Sequence, residues 1–122
     1  ITAVEYLDAQ RLRREMVAQF RRLFESIDVL FTPATPTPAP EVGQKDLEIA
    51  GEMQDVRLAS TRFVRGINVL GFPALCLPCG YTKAGLPIGL QIVGSPWAEA
   101  RLLETGRVLE RRAACASRIV TV

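Results

Sequence analysis

Cys76 and Cys79 form a C-x-x-C, and four serines (Ser26, Ser60, Ser95 and Ser117) with two lysines (Lys45 and Lys83) complete the set from which nucleophilic chemistry could be built. A C-x-x-C serves thiol exchange or half of a tetrahedral zinc site. A redox pair usually opens a helix, and one such pair without further ligands cannot close a zinc site. Here it lies inside an apolar stretch with Pro78, which favours buried structural thiols. Serine catalysis without an imidazole needs a close lysine base and an anion-stabilising loop, and none of the four serines sits in a glycine-rich elbow. Ser95 reads as a helix cap, and Lys83 as a solvated turn residue. Histidine is absent altogether, which removes Ser-His-Asp triads, Cys-His pairs and His-ligated zinc from this segment. Gly85, Gly89 and Gly94 match no phosphate-binding pattern and read as turn and close-approach residues. The residues therefore assign no catalytic group, metal site or cofactor to this chain.

A sharper signal comes from a helix expected over residues 55–70. Val56, Ala59, Phe63, Ile67 and Leu70 recur in steps of three and four and face a core, with Gly71 and Pro73 as the stop. Helical geometry then gathers Leu58, Thr61, Arg65 and Asn68 on the opposite side. Two readings stand: a partly covered surface face, or a pocket wall with one apolar contact, two hydrogen-bonding groups and one cation.

The surrounding elements must position that wall. Thr2 and Glu5 form a capping box at the head of an amphipathic helix over residues 2–27, with Leu12, Met16, Phe20, Leu23, Phe24 and Ile27 on its apolar stripe. Val29-Leu30-Phe31 has the pattern of a strand covered on both faces. Pro33, Pro36, Pro38 and Pro40 make the following segment an extended loop, at the end of a strand where open α/β sheets place ligands. Residues 41–54 read as a loop with one helical turn. Residues 74–79 and 87–93 read as neighbouring strands joined by a turn over 80–85. Ile88, Leu90 and Ile92 share one face, and Gly89 with Gln91 lies on the other, where something approaches closely. Ser95-Pro96 caps a last helix with Ala98, Leu102, Gly106 and Leu109 on its stripe, ending near Arg111-Arg112. Residues 119–122 form a short strand or a tail.

Of the 122 residues 48% are hydrophobic and 23% charged, which places the chain among globular proteins and against disorder. A formal charge of +2 with interleaved arginines and acids implies neither a nucleic-acid nor a membrane partner. Three cysteines make no disulfide framework, so a reducing, cytoplasmic setting is the simpler expectation. The chain opens Ile1-Thr2-Ala3 without an initiator Met, and its strands ask for more cover than it supplies. Both features lead us to expect a segment of a larger domain.

Three motifs in register then bring a family into view: Asp28-Val29-Leu30-Phe31-Thr32-Pro33-Ala34, Gly66-Ile67-Asn68-Val69-Leu70-Gly71-Phe72-Pro73-Ala74, and Gly85-Leu86-Pro87-Ile88-Gly89-Leu90-Gln91-Ile92-Val93-Gly94. Their order and spacing resemble the C-terminal third of amidase-signature enzymes, over residues 5–112. The resemblance implies an α/β fold: the C-terminal part of an α/β/α layered amidase-signature domain, a mixed central sheet flanked by helices. Residues 1–122 would be one segment of that domain, with the catalytic-serine portion lying before it. It also implies amide C–N hydrolysis by a Ser-cisSer-Lys triad upstream, so no catalytic residue is carried over and the segment alone would be inactive. In the family the helix before the N-x-x-G-x-P turn lines the acyl side of the substrate pocket. Leu58, Thr61, Arg65 and Asn68 would line it here, the face already selected by the helical wheel.

Expected partners are a small-molecule amide, with no nucleic acid and no membrane, and a homodimer is the assembly left open. Two alternatives accompany this reading. One is the amidase-like subunit of a glutamine-dependent aminoacyl-tRNA amidotransferase, although such subunits tend to carry an acid where Thr61 stands. The other is a binding or assembly module on the same fold that has lost the chemistry.

Overall fold

The computed structural model describes residues 1–113. The strand or tail expected over 119–122 lies outside the described residues. Helix α1 spans Ala3–Leu23. It opens on the expected capping box: the Glu5 N–H donates to Thr2 Oγ1 at 3.2 Å, and the Thr2 N–H donates to Glu5 Oε2 at 2.7 Å. The bond from the Thr2 N–H, together with one from Thr2 Oγ1 at 3.0 Å, holds the Glu5 carboxyl below the usual carboxylate range. The helix stops short of residue 27. The Phe24 N–H turns back to the Arg21 and Arg22 carbonyls, and Ser26 Oγ donates to the Leu23 carbonyl. These short-range bonds satisfy end groups that further helical turns would otherwise have to pair.

Strand β1 is Val29–Pro33, β2 is Asp46–Ile49 and β3 is Glu52–Asp55. The last two pair antiparallel as a hairpin, where the sequence suggested a loop with a helical turn. Ala50 and Gly51 make its two-residue turn with φ of 52° and 85°, the left-handed pair that suits the twist of a tight hairpin. Helix α2 is Val56–Ser60 and α3 is Arg62–Leu70. The single helix expected over 55–70 is thus two helices with a break at Thr61. Gly71, at φ 73°, ends α3 in the left-handed conformation that glycine adopts without steric cost.

Strands β4 (Ala74–Tyr81) and β5 (Pro87–Gly94) form the expected antiparallel pair, and β1 joins the other edge of β5, giving the order β1-β5-β4. Helix α4 is Glu99–Ala113. It begins later than Ser95-Pro96 suggested, because Trp97 takes a left-handed φ of 67° and the Ala98 N–H closes a turn on the Ser95 carbonyl. Leu102 and Gly106 are its buried positions.

Register explains the layers. Ala74 lies opposite Val93 and Leu75 opposite Ile92, so Val93 and Ile92 point to opposite sides of the sheet. On the Val93 side, Ile67, Leu70 and Phe72 close a core against which Val17, Phe20, Phe24 and Leu30 rest. Three aromatic rings brace it. Phe20 meets Phe72 edge-on at 4.9 Å, and Phe24 stacks on Phe72 at 5.7 Å. On the Ile92 side α4 packs on β4 and β5. A methyl group at Gly106 would come within 2.5 Å of Leu75 Cδ2, so only glycine allows that approach without displacing the leucine. Helices flank the sheet on both faces, which is the α/β layering expected, and every strand pairing among the described residues is antiparallel.

Three further readings need correction. β1 is covered on one face only, since Phe31 is 47% exposed on the side away from Leu30. Cys76 and Cys79 are exposed and unlinked, not buried. A bulge between Pro78 and Gly80 leaves Cys79 without a register partner, and its thiol donates to the Ile88 carbonyl at 3.5 Å. Cys76 is nonetheless shielded enough that desolvation pushes its thiol pKa up. Phe63 is also exposed and does not join the core. No described helix is long and apolar enough to cross a membrane.

Candidate functional site

The break between α2 and α3 is built from the residues that the sequence singled out. A helix leaves its last four carbonyls without intrahelical partners, and in α2 these belong to residues 57–60. Thr61 Oγ1 donates to the Arg57 carbonyl at 2.8 Å, Arg65 Nη2 to the Leu58 carbonyl at 2.7 Å, and the Thr61 N–H to the Ala59 carbonyl. Three of the four are therefore satisfied by Thr61 and Arg65. Thr61 then starts the next helix, its carbonyl accepting from the Arg65 N–H at 3.0 Å.

The opposite end of α2 is fixed by Asp55, the last residue of β3. Its Oδ1 accepts from the N–H groups of Arg57 at 2.9 Å and Leu58 at 3.1 Å. These bonds, led by that from Leu58, with the charge of Arg57, hold the Asp55 carboxyl below its ordinary range. The Val56 N–H donates to the Lys45 carbonyl at 2.8 Å, tying the helix to the segment before the hairpin. Sequence reasoning placed Asp55 at the start of a helix but gave it no capping role. An aspartate directly before an apolar-periodic run was the available signal.

Leu58, Thr61, Arg65 and Asn68 are all exposed, as the helical wheel requires, while Ala59 and Ile67 are buried beneath them. The elbow links Leu58, Thr61 and Arg65 through its hydrogen bonds. Asn68 lies one turn further along, where it lines an open cavity of about 510 Å³ with Arg21, Phe72, Pro73, Trp97 and Glu99. None of the other three lines that cavity. The row therefore runs from a polar elbow to the mouth of a cavity at the end of α3.

The close approach expected at Gly89 is made by the chain itself. The Ala34 N–H donates to the Gly89 carbonyl at 2.9 Å, and a Cβ at Gly89 would stand 2.9 Å from Ala34 Cβ. Gln91, on the same face, is buried and donates from Nε2 to Thr32 Oγ1 at 2.9 Å. The proline-rich segment is thus anchored where it leaves β1, beside the strand that carries the third motif.

Known proteins share both this sequence and this geometry. The family model described as Amidase matches residues 1–103. The chain is 42% identical over 112 residues to a fatty acid amide hydrolase of Arabidopsis thaliana, an alignment covering 92% of this chain and 18% of that protein. It is 40% identical over 107 residues to a glutamyl-tRNA(Gln) amidotransferase subunit of Myxococcus xanthus (strain DK1622), covering 87% of this chain and 21% of that protein. In structure it is similar to a crystallised amidase, with a TM-score of 0.86 at 30% identity over 92% of this chain and 26% of that one. The chain spans 18–21% of the length of these curated relatives. The match over residues 1–103 and the shared fold establish that this chain belongs to the amidase family, the amidase-signature enzymes.

Proposed function

We propose that the protein carrying this chain hydrolyses carbon–nitrogen amide bonds of a small-molecule substrate. Residues 1–122 form the C-terminal part of its single larger amidase domain. The catalytic Ser-cisSer-Lys set lies in the portion preceding residue 1, and this chain contributes one wall of the substrate pocket through Leu58, Thr61, Arg65 and Asn68. The observation that carries the reading is the exposed α2–α3 elbow, a shaped row of one apolar and three polar side chains on a fold that matches a crystallised amidase. The larger domain is supported by the relatives' greater length and by Phe31 and Ile88, 47% and 44% exposed on a sheet face that α4 leaves partly open. An apolar sheet face ordinarily requires a covering layer. The enzyme works in the cytoplasm, a placement resting on its cysteine usage, and a homodimer is the assembly state left to test.

The test is steady-state hydrolysis by the purified full-length protein, using simple acyl amides of increasing chain length. Amine or ammonia release by the protein alone supports the reading, and no turnover of any amide rejects it. Size-exclusion chromatography with light scattering on the same preparation decides the dimer. The 40% identity to an amidotransferase component favours a second reading, a glutamine-dependent enzyme that works only within a complex. Thr61 in place of an acid weighs against it, and amide turnover that needs copurifying proteins would restore it.

A further inference from the structure

We infer that Arg65 enters this wall as a positioning residue: its guanidinium clamps the α2–α3 elbow, thereby sets where Leu58 and Thr61 stand, and does not bind a substrate charge. The inference rests on the pocket wall proposed above. Helix α2 has only five residues, far too short to persist on its own hydrogen bonds, so its geometry depends on what holds its ends. The Asp55 carboxylate holds the first end, and that residue is itself fixed in the hairpin opposite Asp46. The second end is closed by Thr61 and by the Arg65 guanidinium, which reaches back seven residues to the Leu58 carbonyl at 2.7 Å.

That bond crosses the break. Thr61 has no side-chain capping bond to α3, and among the described residues the Arg65 guanidinium supplies a side-chain hydrogen bond that joins α3 to the body of α2. Among the described residues Arg65 pairs with no carboxylate, which leaves the Leu58 carbonyl as its anchor. A charged donor on a helix-end carbonyl is also favoured by the partial negative charge there. The guanidinium is directed at the protein backbone, and a substrate carboxylate would have to compete for it.

The test compares Arg65→Met, which keeps length and loses the donor, with Arg65→Lys, which keeps a cation able to donate to a single carbonyl. Both are made in the full-length protein. Amide hydrogen exchange reads the clamp directly: Arg65→Met should speed exchange over residues 57–62 by about tenfold, and Arg65→Lys should restore most of the protection. Kinetics read the consequence. Arg65→Met should raise KM alike for a neutral amide and for the same amide bearing a carboxylate. Unchanged exchange in Arg65→Met overturns the clamp. A loss confined to the carboxylate-bearing amide, retained by Arg65→Lys, also overturns it and makes Arg65 a substrate contact. If wild type turns over no amide, the proposed function fails, and the exchange data still judge the clamp on their own.

Discussion

The centre of the sheet and the α2–α3 elbow are held together by different forces. In β5, Ile92 and Val93 have no exposed surface, and each is enclosed by a separate layer of helices. At the elbow Leu58, Thr61 and Arg65 are exposed, with Asn68 exposed one turn further along, and the elbow's shape is set by side chains bonded to backbone. Apolar packing makes the first region tolerant of solution conditions but intolerant of lost volume. Individually weak, directional bonds make the second adjustable in geometry at small cost in stability, which would suit the substrate-facing wall proposed above.

Substitutions can break or sharpen that contrast, and each is read by chemical denaturation of the full-length protein. The largest effect is expected for Ile92→Ala, which empties a fully enclosed site and should cost about 2–5 kcal/mol. A loss under half of that would mean the centre of the sheet is not the tightly packed region described. Gly89→Ala should cost about 1–3 kcal/mol, because Ala34 Cβ belongs to backbone anchored by its own hydrogen bond and cannot swing aside. Thr32→Val leaves the buried Gln91 amide without its partner and should cost a similar or smaller amount, about 1–3 kcal/mol. Replacing both Thr32 and Gln91 with apolar residues should recover part of that loss.

The smallest effect belongs to Asp55 and depends on pH. Its carboxyl is held below its ordinary value of 3.8, so the unfolded chain binds the proton more readily than the folded one. Its contribution is complete above that ordinary value and disappears as pH falls through the lower folded value. Asp55→Asn keeps a capping oxygen and removes the titration. The variant should be slightly less stable than wild type at neutral pH, where the carboxylate contributes, and should converge on wild type as acid protonates Asp55; identical pH profiles would contradict the capping account.

Much of this fold was legible in the sequence, and the exceptions share a physical cause. Strands β4 and β5, the Gly71 stop and the capping box were readable because period-two apolar runs, a left-handed glycine and a Thr/Glu pair each have a local reason. The hairpin of β2 and β3 was missed because only Leu47, Ile49 and Met53 give it apolar character, and the Ala50-Gly51 turn was its one clear signal. The break at Thr61 carries no proline or glycine. It exists because Thr61 and Arg65 satisfy carbonyls across it, a tertiary arrangement that periodicity does not register. The wheel nevertheless separated the exposed side from the buried one, since a break of one residue leaves Ala59 and Ile67 facing inward. Cys79 was misread because a bulge is invisible to a pattern that assumes strict alternation, whereas Cys76 keeps regular register opposite Gln91 and is exposed on the edge strand β4.

The most direct measurement introduces bulk at the elbow of the full-length protein and varies the acyl chain of the amide. Thr61→Trp should lower kcat/KM for long-chain amides by at least about tenfold, roughly the worth of one well-placed contact, while leaving a two-carbon amide almost unchanged. Thr61→Val, which removes only the bond to the Arg57 carbonyl, serves as the control. Equal kcat/KM across the series in Thr61→Trp, with the fold intact, would contradict a substrate-facing wall at Leu58, Thr61 and Asn68.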